Sequence, residues 1–305
     1  MRALVLHDAG TPPRLKTIDE PDAAAGQRVV EVIAAALNPV DLQQASSSDP
    51  SELPKVVGNE AIINSDIGLA YAERTAHSSG SVAERTVIDP DELVVLPEGV
   101  SPSAAVALGI PGIAAWLSLT HVGQLSPKET VVVLGVTGIA GQIAVQVAKI
   151  LEAGRVVAAG RRREALEPLT DLGADVIAVL DGEDDTATLR EAAGGEIDLV
   201  FDPLFGAPLV SAIHALRPGG RSVTIGMSAG PTAEVPFNAF LGKQLLSHGN
   251  MLAPAELKKD AYRELVEHLA AGRLVVDTED FPLERAEAAW ARQQKGPGRK
   301  LVIRP

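Results

Sequence analysis

Residues 131–149 read Val-Val-Val-Leu-Gly-Val-Thr-Gly-Ile-Ala-Gly-Gln-Ile-Ala-Val-Gln-Val-Ala-Lys. An apolar strand-like run enters three glycines spaced three apart, Gly135, Gly138 and Gly141, and apolar residues at helical spacing follow. Glycine permits a tight turn and lets the backbone approach a pyrophosphate, while the amides opening the next helix face the anion. A strand-to-helix turn with no ligand is the competing reading. A second strand about 20 residues further on argues against it. That strand ends in Ala158-Ala159-Gly160-Arg161-Arg162-Arg163. An NAD-selective site carries an acidic residue there for the ribose 2′-hydroxyl. Gly160 instead leaves room, and Arg161 and Arg162 suit a 2′-phosphate through bidentate, charge-assisted bonds. Arg163 is expected on the following helix. Solvated arginines opening that helix are the alternative, although cations are disfavoured at a helix N-terminus. The expected cofactor is NADPH.

These residues need a scaffold, and the pattern supplies one. From residue 131 onward, apolar runs at 131–134, 155–159, 176–180, 198–201, 222–225 and 245–251 alternate with helical stretches such as 141–151 and 207–216. Strands joined by helices in this way predict a doubly wound parallel sheet. The first third differs. Short runs at 2–7, 28–37, 86–88 and 93–96 are separated by turn-forming clusters of Pro, Gly, Asp and Ser, which predicts a small barrel or sandwich. A helix near 255–271, a segment at 281–294 and a last strand at 300–304 complete the chain.

Composition narrows the chemistry. The 305 residues allow about two domains. With no cysteine there is no disulfide, thiol nucleophile or Cys-ligated zinc. A net charge of −13 and 3% aromatic content argue against nucleic acid as a partner. No apolar run approaches the roughly 20 residues of a membrane span, and the apolar stretch after Met1 is too short for a signal peptide. A cytoplasmic protein is expected.

Several stretches, in order and spacing, resemble the medium-chain dehydrogenase/reductase superfamily, in its zinc-free quinone oxidoreductase branch. Asn38-Pro39-Val40-Asp41 is similar to that branch's N-P-x-D stretch, and residues 104–116 to its helix leading into the cofactor domain. The glycine turn resembles its A-S-G-G-V-G form. Asp198-Leu199-Val200-Phe201-Asp202, residues 216–221 and Ile225-Gly226 resemble its later strands, and Gly298-Arg299-Lys300-Leu301-Val302 its closing G-K-I-V strand. The resemblance implies a GroES-like β-barrel catalytic domain from residues 1–112 and 253–305, with a doubly wound Rossmann NADP-binding domain over 113–252. The nicotinamide is then expected in the cleft between them. The implied cofactor contacts are Asn38, Thr137, Gly138, Ile139, Ala140, Gly160, Arg161, Arg162, Pro203, Gly226, Met227 and Ser228. A homodimer through the edge strand of the cofactor sheet is implied as well.

The departures from the family pattern matter equally. Gly58-Asn59-Glu60 carries Asn where zinc-dependent relatives have His, and His7, His77, His121, His214, His248 and His268 lack ligand spacing. No metal is expected. Residues 61–72 are shorter than the family's corresponding run, so the barrel is trimmed there. Gln43 stands where several relatives have a tyrosine that bonds substrate or donates a proton, and Gln is no acid. Reducing a simple ketone develops an alkoxide of high pKa and calls for a Lewis acid or proton donor. A quinone yields a delocalised hydroquinone anion, so positioning supplies much of the catalysis. Hydrogen bonds from Asn38 or Gln43 would stabilise that anion, although Asn38-Pro39 also suits a plain turn. Tyr71 and His77 are substitute proton donors, each with a structural alternative, and Asp41 is expected to cap backbone amides. The candidate catalytic residues are thus Asn38, Gln43 and Tyr71. The expected activity is NADPH-dependent, metal-free hydride delivery to a small quinone or enone. The alternatives are a 2-enoyl thioester reductase and a non-catalytic NADPH-binding protein with a structural or sensing role.

Overall fold

The computed structural model describes residues 1–73 and 80–305. His77 lies outside the described residues. Met1–Pro111, Ala255–Gly272 and Val276–Pro305 make one unit, and Gly112–Pro254 with Arg273–Val275 a second. Arg273–Val275 belongs with the second because the Gln146 side chain bonds both backbone groups of Val275, each at 2.9 Å.

In the first unit the strand Arg28–Ala36 is central. Its last three residues are fully buried alanines, small enough for neighbouring elements to approach on both faces. It pairs antiparallel with Glu60–Ser65, Arg85–Ile88 and the C-terminal strand Lys300–Arg304. Glu60–Ser65 and Gly68–Glu73 form a hairpin, and Thr278–Pro282 lies parallel to Lys300–Arg304. A second sheet joins Arg14–Thr17, Arg2–Leu6 and Lys55–Val56. Leu4, Leu6, Leu37, Ile63, Trp290, Leu301 and Ile303 share one core. This is the GroES-like barrel.

The second unit is built on a parallel sheet of six strands among the described residues. Their order is Val176–Val179, Arg155–Gly160, Thr130–Val133, Ile197–Asp202, Leu216–Thr224, Gln244–Ser247. In chain order this is 3-2-1-4-5-6, the doubly wound Rossmann arrangement. Its inner strands are nearly continuous Val, Leu, Ala and Ile because helices cover both faces. The helix Ile139–Ile150 buries Ile143, Ala144 and Val147.

The structure adds strands that the pattern missed. Arg14–Thr17 is almost wholly exposed and shows no alternation. Residues 61–72, expected as a trimmed stretch, lie in the hairpin, which turns through Asp66 and Ile67. The expected helix over 104–116 is two helices, Pro102–Ala107 and Ile110–Leu117. Residues 281–294 divide between the end of Thr278–Pro282 and the helix Ala286–Gln293.

Candidate active site

In the second unit the C-terminal ends of adjacent strands bring distant residues together. The three glycines serve different purposes. Gly135 has φ 55°, and a Cβ there would lie 2.8–2.9 Å from atoms of Leu204 and Pro203. A Cβ on Gly141 would lie 2.7 Å from Val136 Cα, so close helix–strand packing demands glycine. Gly138 differs. It caps the helix Ile139–Ile150 in an ordinary extended conformation, and a Cβ there would meet only Gly135 O, at 3.4 Å. The fold itself therefore gives no steric reason for glycine at 138. The open space lies at the helix N-terminus, ahead of the intrahelical ladder, which fits the close approach of an anion. Thr137 is tied down through its carbonyl, which accepts from Gln142 Nε2 at 3.0 Å; Ile139 and Ala140 open the helix.

Gly160 ends the second strand. Arg161, Arg162 and Arg163 follow, all exposed, and Arg163 starts the short helix Arg163–Leu166. None of the three has a carboxylate partner among the described residues, whereas Arg217 and Arg221 in the same unit are paired to Asp198 and Glu129. Across the sheet, Pro203 is pinned beside Gly226, and its carbonyl accepts from Ser228 N at 3.4 Å and Ser228 Oγ at 3.2 Å. Met227 and Ser228 are exposed.

The first unit has a buried polar centre. Asn38 caps the helix Pro39–Ser46 and is 2% exposed. Its Nδ2 donates to Glu60 Oε1 at 2.7 Å, and its Oδ1 accepts from Lys300 Nζ. Lys300 Nζ also lies 2.9 Å from Glu60 Oε1, with both side chains buried. Glu60 Oε2 accepts from Ile110 N at 2.6 Å and Tyr71 OH at 3.2 Å. Gly109 makes room for this carboxylate, since a Cβ there would sit 2.0 Å from Glu60 Oε2. Asp41 Oδ2 accepts the Asn38 backbone N–H at 2.6 Å, and its Oδ1 accepts from Asn59 Nδ2 at 2.6 Å. Burial raises the Asp41 carboxyl to about 6, partly offset by those bonds. Burial, reinforced by Glu60, pushes the Tyr71 phenol well above 10. Its ring stacks on Tyr262 at 4.0 Å.

Two of the three catalytic candidates, Asn38 and Tyr71, therefore meet at Glu60, while Gln43 is exposed on the helix Pro39–Ser46. As placed, Asn38 has both amide groups engaged, and Tyr71 donates its proton to a carboxylate. Sequence reasoning gave Glu60 and Lys300 no role. The signal for them was a charged residue beside the apolar runs Ala61-Ile62-Ile63 and Leu301-Val302-Ile303. Among the described residues no group of three or more His, Cys, Asp or Glu could hold a metal ion.

Comparison with known proteins agrees with this architecture. Residues 140–271 match the family model described as zinc-binding dehydrogenase. The chain is 29% identical to the quinone oxidoreductase from Thermus thermophilus, a structure described with its NADPH complex. The TM-score is 0.87, with all of both chains covered. Fold and motifs together are similar to those of the medium-chain dehydrogenase/reductase superfamily. The chain is also 28% identical over 288 residues to the putative quinone oxidoreductase YhfP of Bacillus subtilis, covering 87% of this chain and 86% of that one. Both of these similar proteins are described as quinone oxidoreductases, the second as a putative one. A further relative is a phenolphthiocerol/phthiocerol polyketide synthase polypeptide of Mycobacterium tuberculosis, 27% identical over 97% of this chain. The chain spans 14% of that protein's length.

Proposed function

We propose that this chain is a zinc-independent, NADPH-dependent oxidoreductase that delivers hydride to a quinone or similar conjugated carbonyl. The observation that carries the reading is the run Arg161–Arg162 beside Gly160, which has no carboxylate partner among the described residues, in a chain of net charge −13. Two exposed guanidinium forks so placed suit a 2′-phosphate. Gly138 and the helix N-terminus behind it suit the pyrophosphate, with Thr137, Ile139 and Ala140 alongside. Pro203, Gly226, Met227 and Ser228 form the opposite wall. When bound, the cofactor supplies a hydride, two electrons with one proton, and ends oxidised.

The chain's own residues bind and orient. A reduced quinone is a delocalised anion that takes its proton from water, so no side chain need act as acid. This fits Tyr71 as a support for Glu60 and Asn38 as a brace of the Pro39–Ser46 helix, leaving Gln43 as the exposed hydrogen-bond donor of the three. Zinc independence is supported by the lack of cysteine and by Asn59, whose amide is held by Asp41 and Gln44. A homodimer is supported by exposed Phe237, Leu241, Leu245, Met251 and Leu252, on and flanking the edge strand Gln244–Ser247.

The deciding experiment follows NADPH oxidation with a 1,4-quinone, with crotonyl-CoA and with no acceptor, before and after dialysis against a chelator. Quinone-dependent turnover that survives the chelator is expected. Turnover with crotonyl-CoA alone favours the thioester reductase, and tight NADPH binding with no acceptor turned over favours a non-catalytic role. Replacing Arg161 and Arg162 with Ala should raise KM for NADPH by about 10- to 100-fold, the scale of a charge-assisted hydrogen bond, and leave KM for NADH nearly unchanged. Equal effects on both cofactors sink the phosphate assignment. Sedimentation at twice the 31.7 kDa chain mass tests the dimer.

A further inference from the structure

The backbone of Phe205, at φ 57° and ψ −164°, lies in a region that glycine alone adopts freely. The other non-glycine residues at positive φ among those described, Gln124, Lys128 and Glu152, are polar. A bulky aromatic persists in such a conformation only where its surroundings over-determine it. Two sets of contacts do so. On the backbone side, Asp202 is fully buried, and its carboxylate accepts from Leu204 N at 2.8 Å, Phe205 N at 3.0 Å and Thr224 Oγ1 at 2.8 Å. On the side-chain side, the Phe205 ring packs on Leu209, Ile213 and Ala239 together with Val235 and Phe240.

The residues just before Phe205 form a wall. Pro203 and Leu204 stand against Gly135, Pro203 O accepts from Ser228, and Leu204 O accepts from Ala229 N at 2.8 Å. Phe205 is the point where this wall turns into the helix Gly206–Ala215. With the ring anchored, relaxing φ at 205 would rotate the preceding peptide and move Leu204 and Pro203 off the glycine turn.

We propose that Phe205 is a positioning residue for the cofactor: its anchored ring holds a strained turn that sets Pro203 and Leu204 against Gly135. The proposal rests on the nucleotide-binding reading above. The test compares wild type, Phe205→Gly and Phe205→Leu by calorimetric titration with NADPH and by thermal melting. Phe205→Gly releases both the strain and the anchor and is expected to raise the NADPH Kd about tenfold, the scale of one strained residue. Phe205→Leu keeps an apolar anchor and is expected to stay within about threefold of wild type. A merely structural residue would lower the melting temperature of Phe205→Gly yet leave Kd for the folded protein unchanged, and that result overturns the proposal. If Phe205→Gly does not fold, Asp202→Asn leaves the ring in place and weakens the other clamp. The same rise in Kd supports the proposal, and an unchanged Kd overturns it. A wild-type chain that binds neither NADPH nor NADH removes the cofactor reading itself, an outcome distinct from wild-type binding with an indifferent Phe205→Gly.

Discussion

The polar cluster of the barrel unit and the strand-end arginines of the other unit are in opposite states. In the barrel unit Asn38, Asp41, Asn59, Glu60 and Lys300 are buried and bonded to one another. In the nucleotide unit Arg161, Arg162 and Arg163 are exposed without carboxylate partners among the described residues, and the helix behind Gly138 opens without a side-chain cap. A group already satisfied inside the fold gains little from a ligand, because bonding the ligand means breaking an existing bond. A group left unsatisfied at the surface is free to bind. The buried centre therefore supports the fold, and the open strand ends are the proposed ligand site.

The largest expected effect comes from breaking the buried pair. Glu60 is fully buried, with its carboxylate 2.9 Å from the Lys300 ammonium. Lys300→Met leaves that charge to two neutral donor side chains and one amide, and should cost about 3–5 kcal/mol of unfolding free energy in urea. Adding Glu60→Gln to Lys300→Met should recover much of the loss, because the uncompensated charge is gone. An unchanged midpoint for Lys300→Met would mean that the network does not support the barrel.

Asp41 offers a second way in, through pH. Its folded pKa is raised from 3.8 to about 6, chiefly by desolvation. A raised folded pKa contributes stability that is fully present below 3.8 and lost as pH rises through about 6. Between pH 4 and pH 7 wild type should therefore lose about 2 kcal/mol more than Asp41→Asn. Parallel pH profiles for the two would show that Asp41 is solvated, contrary to its 2% exposure.

The same contrast explains what could be read from the sequence. The parallel sheet, the glycine turn and the arginine run are local signals, each complete within a strand and the turn that follows it. The barrel's polar centre is not local. Lys300 and Glu60 are 240 residues apart, and only the closing strand brings them together. Asn38 stands out by its N-P-x-D motif and Tyr71 by residue type, but their bonds to Glu60 depend on the hairpin Glu60–Ser65/Gly68–Glu73. That hairpin begins in a run with no period-two alternation. Phe205 was invisible for another reason: no sequence pattern marks an aromatic residue held at positive φ.

A smaller effect tests the open side. Gly138→Ala has room for its Cβ, so stability should fall by no more than about 1 kcal/mol, the cost of a poorer cap. The same methyl would stand where the backbone must approach a pyrophosphate, and the NADPH Kd should rise about tenfold, or about 1.4 kcal/mol. Unchanged binding would mean that the space at Gly138 is incidental, and the contrast between the units would lose its open member.

The smallest expected effect discriminates best between support and chemistry. Tyr71 OH lies 3.2 Å from Glu60 Oε2, a long bond to an oxygen that Ile110 N already approaches at 2.6 Å. Tyr71→Phe keeps the ring stacked on Tyr262 and should cost about 1 kcal/mol or less. Quinone turnover should not change, because a phenol held well above its usual pKa beside a carboxylate is a poor acid. Stability and turnover measured on the same preparation separate the cases. Lost turnover at unchanged stability would make Tyr71 the proton donor and place a reacting group inside the buried centre. A small stability loss with full turnover leaves Tyr71 where its bonds put it, holding Glu60.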